Sequence, residues 1–114
     1  MTNFAQGHQA EKYAADYLTH NGYKIVALNW RTRLCEIDIV AKNGKTVHFV
    51  EVKYRRTTQQ GSGLDYITPS KLNQMQFAAE CWVQENAYRG AYELSAIEVS
   101  GPSFDITNFV PNIL

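Results

Sequence analysis

Only two cysteines, Cys35 and Cys81, occur in the 114 residues, and they form no C-x-x-C pair. That excludes a secreted disulfide scaffold and leaves both as expected reduced thiols. Long apolar runs are missing as well: none approaches the roughly 18 residues of a membrane span. The opening Met1-Thr2-Asn3-Phe4-Ala5-Gln6 lacks a basic region followed by an apolar signal segment. The expectation is a soluble cytoplasmic protein with no membrane partner. His8, His20 and His48 form no H-x-x-x-H motif and no Cys/His cluster, which argues against zinc, and the glycines form no phosphate-cradling loop. Repeats, low-complexity tracts and linkers are absent too. Net charge is zero, which weighs against a protein that coats nucleic acid indiscriminately.

What is present is unevenly placed. Of eleven basic residues, eight lie between positions 24 and 56, namely Lys24, Arg31, Arg33, Lys42, Lys45, Lys53, Arg55 and Arg56. The same window holds only three acids, Glu36, Asp38 and Glu51. Such asymmetry suits one phosphate-facing surface on an otherwise acidic body. With 45% hydrophobic residues the chain suits one domain over residues 1–114. At that size it buries somewhat under about 70% of its unfolded surface.

Periodicity supplies the elements. Ala10, Tyr13, Ala14, Tyr17 and Leu18 recur at helical spacing and predict a helix from about Gln6 to the stop at Asn21-Gly22. Tyr23 to Trp30 reads as a strand. A hairpin follows, from Cys35 to Ala41 and from Thr46 to Lys53, with apolar residues on both faces: Ile37, Ile39, Val50 and Val52 on one, Val40, Val47 and Phe49 on the other. A sheet covered on both sides implies an α/β layered domain. Arg55 to Ile67 reads as a long exposed loop, and Thr68-Pro69 as the cap of a second helix reaching about Ala87. Leu72, Met75, Ala79, Trp82 and Val83 form its core stripe. Tyr92 to Val99 and Phe104 to Val110 read as two further strands.

The hairpin carries the chemistry. Strand residues alternate faces, so Glu51 and Lys53 project together. If Asn43-Gly44 forms the turn, Glu36 faces Glu51 and Asp38 faces Phe49. Asp38 and Glu51 are then diagonal neighbours about 7–8 Å apart at the backbone. Hard divalent cations such as Mg²⁺ take one or two carboxylates plus water and phosphate oxygens, and Asp38 and Glu51 supply that number. Lys53 is placed to orient or deprotonate a water, and the Val52 carbonyl to add a ligand. Glu11, on the flank of the first helix's apolar stripe, is a third acid able to reach the sheet. The residues suggest metal-assisted phosphodiester hydrolysis.

Gly7-x-x-x-Glu11, Asn29-x-Arg31, Glu36-Ile37-Asp38, Phe49-Val50-Glu51-Val52-Lys53-x-Arg55 and Lys71 together resemble the YraN-like family of small bacterial predicted endonucleases. The resemblance covers nearly the whole chain, and E-I-D followed by F-V-E-V-K-x-R at this spacing is its most specific part. It implies a restriction-endonuclease-like α/β fold, similar to archaeal-type Holliday junction resolvases, with a central mixed β-sheet flanked by helices on both faces. It also implies that Asp38 and Glu51 ligate Mg²⁺ or Mn²⁺, that Lys53 assists the water, and that Glu11 matches the helix carboxylate of the resolvase-like site. Lys71 is implied as a phosphate contact. The chain departs from the family at Cys35, where Gly is usual, and at Ala91-Tyr92-Glu93, where R-F-D is frequent.

Two functions are carried forward. The first is a divalent-metal-dependent endonuclease hydrolysing DNA, selective for branched structures and acting as a homodimer, since branched junctions have twofold character. Its nucleic-acid-binding residues are expected to be Arg31, Arg33, Arg55, Arg56 and Lys71. The second is a non-catalytic nucleic-acid-binding or assembly module on the same fold, consistent with zero net charge and the departures at Cys35 and Ala91. A glycosidase using a carboxylate pair is a distant third.

Overall fold

A computed structural model describes residues 3–57 and 63–114. Helix α1 (Asn3–His20) leads into β1 (Lys24–Arg31), β2 (Glu36–Asn43) and β3 (Thr46–Arg55). Helix α2 (Pro69–Glu85) then crosses to β4 (Ala91–Ser100), and β5 (Asp105–Val110) closes the sheet. Spatial order follows chain order, with every neighbouring pair antiparallel except β3 and β4. That single parallel pair needs a crossover, which α2 provides.

The helices lie on opposite faces. Ala10, Ala14 and Leu18 of α1 pack on Ile39, Val50, Ile97 and Val99 in one core. Met75, Ala78, Ala79 and Trp82 of α2 pack on Val40, Val47, Phe49 and Leu94 in the other, where the Trp82 ring meets Phe49 edge-on at 5.5 Å. This is the α/β architecture expected, a five-stranded mixed sheet between two helices, consistent with a restriction-endonuclease-like fold. Among the described residues, no helix is long and apolar enough to cross a membrane. Thr68 caps α2 as its sequence predicts: its Oγ1 accepts the Lys71 N–H at 3.1 Å, with Pro69 in the first turn.

Three expectations are corrected. The β2–β3 turn is Gly44-Lys45, one residue later than Asn43-Gly44, and Asn43 pairs with Thr46. Gly44, at φ 61°, takes the first central position, where a type II′ turn needs glycine. Cross-strand partners therefore move by two residues; the faces keep their parity, but the register carries Asp38 to the position opposite Glu51 instead of Phe49. Ile37 joins the α2-side core while Ile39 stays with α1, so the alternation breaks at Asp38. Finally, β3 runs through Arg55, which is a strand residue and not the start of a loop. Of the long loop, residues 58–62 lie outside those described.

Arg55 and Glu98 are 4% and 3% exposed, and their side chains meet at 2.5 Å, Arg55 Nε to Glu98 Oε2. The guanidinium also pairs with Asp65 at 2.5 Å, while Thr107 donates to the other Glu98 oxygen at 2.9 Å. This network ties β3, β4, β5 and the approach to α2 together. Arg55→Ala leaves Glu98 buried without its cation and is expected to cost about 3–5 kcal/mol of stability in urea unfolding. A loss below about 1 kcal/mol would show that the pair carries little of the fold.

Candidate active site

Beyond the pair Ile39–Val50, the β2–β3 ladder stops. Asp38 accepts the Val52 N–H on its carboxylate at 2.9 Å. A side chain thus takes the place of a backbone acceptor, and the strands part around it. Clefts open on both faces of this gap. On the α2 side a cleft of about 350 Å³ is lined by Asp38, Glu51, Lys71, Cys35, Leu34 and Phe77, among others. On the α1 side one of about 220 Å³ is lined by Gly7, His8, Glu11, Asn29, Arg31, Glu36 and Asp38.

Asp38 lies between two other carboxyls. Glu11 approaches it from α1 and Glu51 from β3, each near enough to perturb its ionisation or to be perturbed by it. The row ends on Lys71, whose Nζ sits 2.7 Å from Glu51 Oε2. Burial pushes the Asp38 carboxyl from an ordinary 3.8 to about 7; the Val52 N–H and the Lys71 charge pull it down, but burial and the Glu11 charge prevail. Glu51 is likewise raised from 4.5 to about 7, by burial first and by the Asp38 charge second, against the pull of Lys71. Glu11 is raised by burial, opposed by its hydrogen bonds to Asp38 and Asn29. Burial would lower the Lys71 ammonium, but its hydrogen bond to Glu51 and the surrounding carboxylates raise it instead.

One Glu11 oxygen, Oε1, is buried without a hydrogen bond, although His8 Nδ1 approaches it at 3.3 Å. Close proximity without hydrogen-bond alignment leaves an electron pair available to a cation. Among the described residues, no three His, Cys, Asp or Glu side chains are gathered closely enough to enclose a metal ion. The three carboxyls are strung in a row through the sheet instead. Their hard oxygen donors, partial burial and shortage of positive charge fit Mg²⁺ or Mn²⁺ better than a softer metal.

The other candidate residues separate. Lys53 stands two residues beyond Glu51 with its Nζ 5.7 Å from the centre of the Tyr66 ring, so the ammonium at the carboxyls is Lys71. Lys71, expected to contact phosphate, is engaged with Glu51. Val52 meets the site through its N–H. Arg55 is buried between Glu98 and Asp65 and is not available to a phosphate, which corrects its expected place on a binding surface. Arg31, Arg33 and Arg56 are exposed, and Arg31 lines the α1-side cleft.

The basic window splits between the two ends of the sheet. Lys24 pairs with Lys42 beside the hairpin turn that holds Lys45, whereas Arg31 pairs with Glu36 at the site end. Asn29 and Glu36 went unassigned in the sequence. The Asn29-x-Arg31 motif is a signal for the first, since Asn29 pulls the Glu11 pKa down and tolerates φ 51°. No disulfide joins Cys35 to Cys81.

Fold and site together define a restriction-endonuclease-like α/β protein with a half-buried acidic row opening to both faces of its sheet. Residues 10–108 match the model of the uncharacterised protein family UPF0102. A UPF0102 protein of Pseudomonas fluorescens (strain Pf0-1) is 38% identical over 86 residues, covering 75% of this chain and 72% of the relative. One from Neisseria meningitidis serogroup C is 40% identical over 84 residues, covering 74% and 73%. One from Vibrio cholerae O1 (strain O395) is 34% identical over 105 residues, covering 88% and 86%. The chain belongs to UPF0102, the YraN family.

The raised carboxyls set a pH dependence. Between their ordinary values of 3.8 and 4.5 and their folded values of about 7, Asp38 and Glu51 hold protons that the unfolded chain has released. Stability of the metal-free protein therefore falls as pH rises from about 4.5 to 7 and levels off above it. Asp38→Asn keeps an acceptor for Val52 but has no charge to bury. Its urea midpoint should exceed the wild type's at about pH 7.5 and show a shallower decline; parallel pH curves for the two proteins would contradict this.

Proposed function

We propose that this protein is a divalent-metal-dependent endonuclease hydrolysing phosphodiester bonds in DNA. The observation that carries the reading is the row Glu11–Asp38–Glu51, held across a gap in the sheet and open to solvent on two sides. Such a row is costly to keep in the fold without a cationic ligand. Asp38 and Glu51 would hold Mg²⁺ or Mn²⁺ with the Val52 carbonyl as a further oxygen, and Glu11 would join them only by drawing in from its end of the row. A metal bound there supplies Lewis-acid stabilisation of a phosphoryl oxygen and acidifies a water.

The chain's own groups do the rest. Lys71, already beside Glu51, would offset negative charge developing on phosphorus. Lys53, on the same strand face as Glu51, would turn from the Tyr66 ring to orient the attacking water, or, after releasing its own proton to solvent, to take one from it. Arg31 and Arg33 hold flanking phosphates by charge. A second copy of the chain would supply the twofold arrangement suited to a branched junction.

The Lys71–Glu51 ion pair also favours a second reading. An internal ammonium that permanently satisfies the acids would make this a nucleic-acid-binding module that does not cut.

Purified protein incubated with labelled four-way junction, flap and linear duplex in Mn²⁺ separates the two. Cleavage should stop with chelator and fall at least about a hundredfold in Asp38→Asn, Glu51→Gln and Lys53→Ala. Lys71→Ala should lose less than Lys53→Ala if Lys53 serves the water. Salt-dependent binding without cutting, unchanged by Asp38→Asn, would support the binding module instead.

A further inference from the structure

The α2-side cleft has a polar floor and apolar walls. Asp38, Glu51 and Lys71 form the floor, while Leu34 from the β1–β2 connection and Phe77 from α2 both line it. Leu34 is 80% exposed and Phe77 46%, and neither belongs to the core on either side of the sheet. Scattered exposed apolar side chains are ordinary on a protein surface. Two of them, from separate elements, over one acidic floor are a different arrangement.

The wall that carries Leu34 is preformed. The Thr32 N–H donates to the Cys35 carbonyl at 2.8 Å, and the Leu34 N–H donates to Thr32 Oγ1 at 3.1 Å. These bonds close the Thr32–Cys35 turn on itself and hold Leu34 at its tip. Arg33, next to Leu34 in the same turn, is exposed. A neighbouring cation, apolar walls and a carboxylate-and-ammonium floor match the three parts of a nucleotide: backbone charge, base face and phosphoryl group.

We infer that this cleft takes an unpaired nucleotide, with its base against Leu34 and Phe77 and its phosphate directed to the Asp38–Glu51–Lys71 floor. This rests on the nuclease reading and deepens it by naming the substrate class, a strand whose base has left the stack beside the scissile phosphate. A stacked, paired base shows only its edge and cannot offer its face to these side chains. Gln74, also lining the cleft, presents an amide that can bond the edge of any base. The apolar contact itself is indifferent to sequence, because every base has a face.

The test compares a fluorescein-labelled forked duplex having an unpaired arm with the fully paired duplex of the same sequence. Affinities are measured by fluorescence anisotropy in Ca²⁺ for wild type, Leu34→Ala, Phe77→Ala and Phe77→Trp. Both positions changed are exposed, and circular dichroism checks that each variant keeps the fold. Wild type should bind the fork more tightly than the duplex. Each alanine variant should lose about tenfold on the fork and little on the duplex, while Phe77→Trp keeps the preference. Equal weakening on both substrates, or none on either, overturns the inference. If wild type cuts DNA yet binds fork and duplex alike, the inference falls and the nuclease reading stands. If wild type neither binds nor cuts any DNA, both fall. Capture of an apolar peptide by the cleft with no effect of Leu34 or Phe77 on DNA likewise overturns it.

Discussion

The acceptance of the Val52 N–H by the Asp38 carboxylate is the contact on which the site depends. A strand pair normally continues until its backbone partners run out. Here β2 and β3 separate while β3 stays fully paired with β4 out to Arg55 and Ser100. The N–H left facing β2 must find an acceptor, because a buried unpaired donor costs about 1–3 kcal/mol. Asp38 provides it from one residue past the last pair. That single substitution of side chain for backbone splits the sheet, ends the alternation between Ile37 and Ile39, and brings one carboxylate into clefts on both faces.

Burial and charge then work against each other in a way that function can use. Glu11 and Glu51 converge on Asp38 from a helix and a neighbouring strand, so three carboxyls share a partly dry space with one ammonium. Elsewhere in the same protein, a buried acid is fully compensated: Glu98 has Arg55 at one oxygen and Thr107 at the other. The contrast is informative. Where the fold needs a buried carboxylate for structure it supplies a guanidinium, and at Asp38 it does not. Membership of UPF0102 places this arrangement within a family that carries no established activity, so the physical properties of the row are the argument for what it does.

Much of the architecture was legible in the sequence. Helical spacing in Ala10, Ala14 and Leu18 and apolar residues on both faces of the hairpin required a covered sheet, and Thr68-Pro69 fixed the start of α2. Asp38 and Glu51 could be placed on one face because a two-residue change of register preserves strand parity. Their direct opposition could not, since it turned on whether glycine stood first or second in the turn. Local periodicity also says nothing about which lysine a carboxylate meets. Lys53 was near Glu51 along the strand, but Lys71 reaches it across the layer from α2, and only packing reveals that. The same holds for Arg55, whose partners Glu98 and Asp65 lie 43 and 10 residues away in the chain. The cluster of bases between 24 and 56 was a feature of the sequence that the hairpin divides between the two ends of the sheet.

If the row is a cation site, a metal must displace protons that burial has kept on it. Calorimetric titration of the metal-free protein with Mn²⁺ near pH 7, repeated in two buffers of different ionisation enthalpy, reads binding and proton release together. Saturable binding is predicted, with a heat that changes between buffers because protons leave Asp38 and Glu51, and with both effects lost in Asp38→Asn. Absence of binding, or binding that Asp38→Asn leaves intact and that releases no proton, would contradict the account.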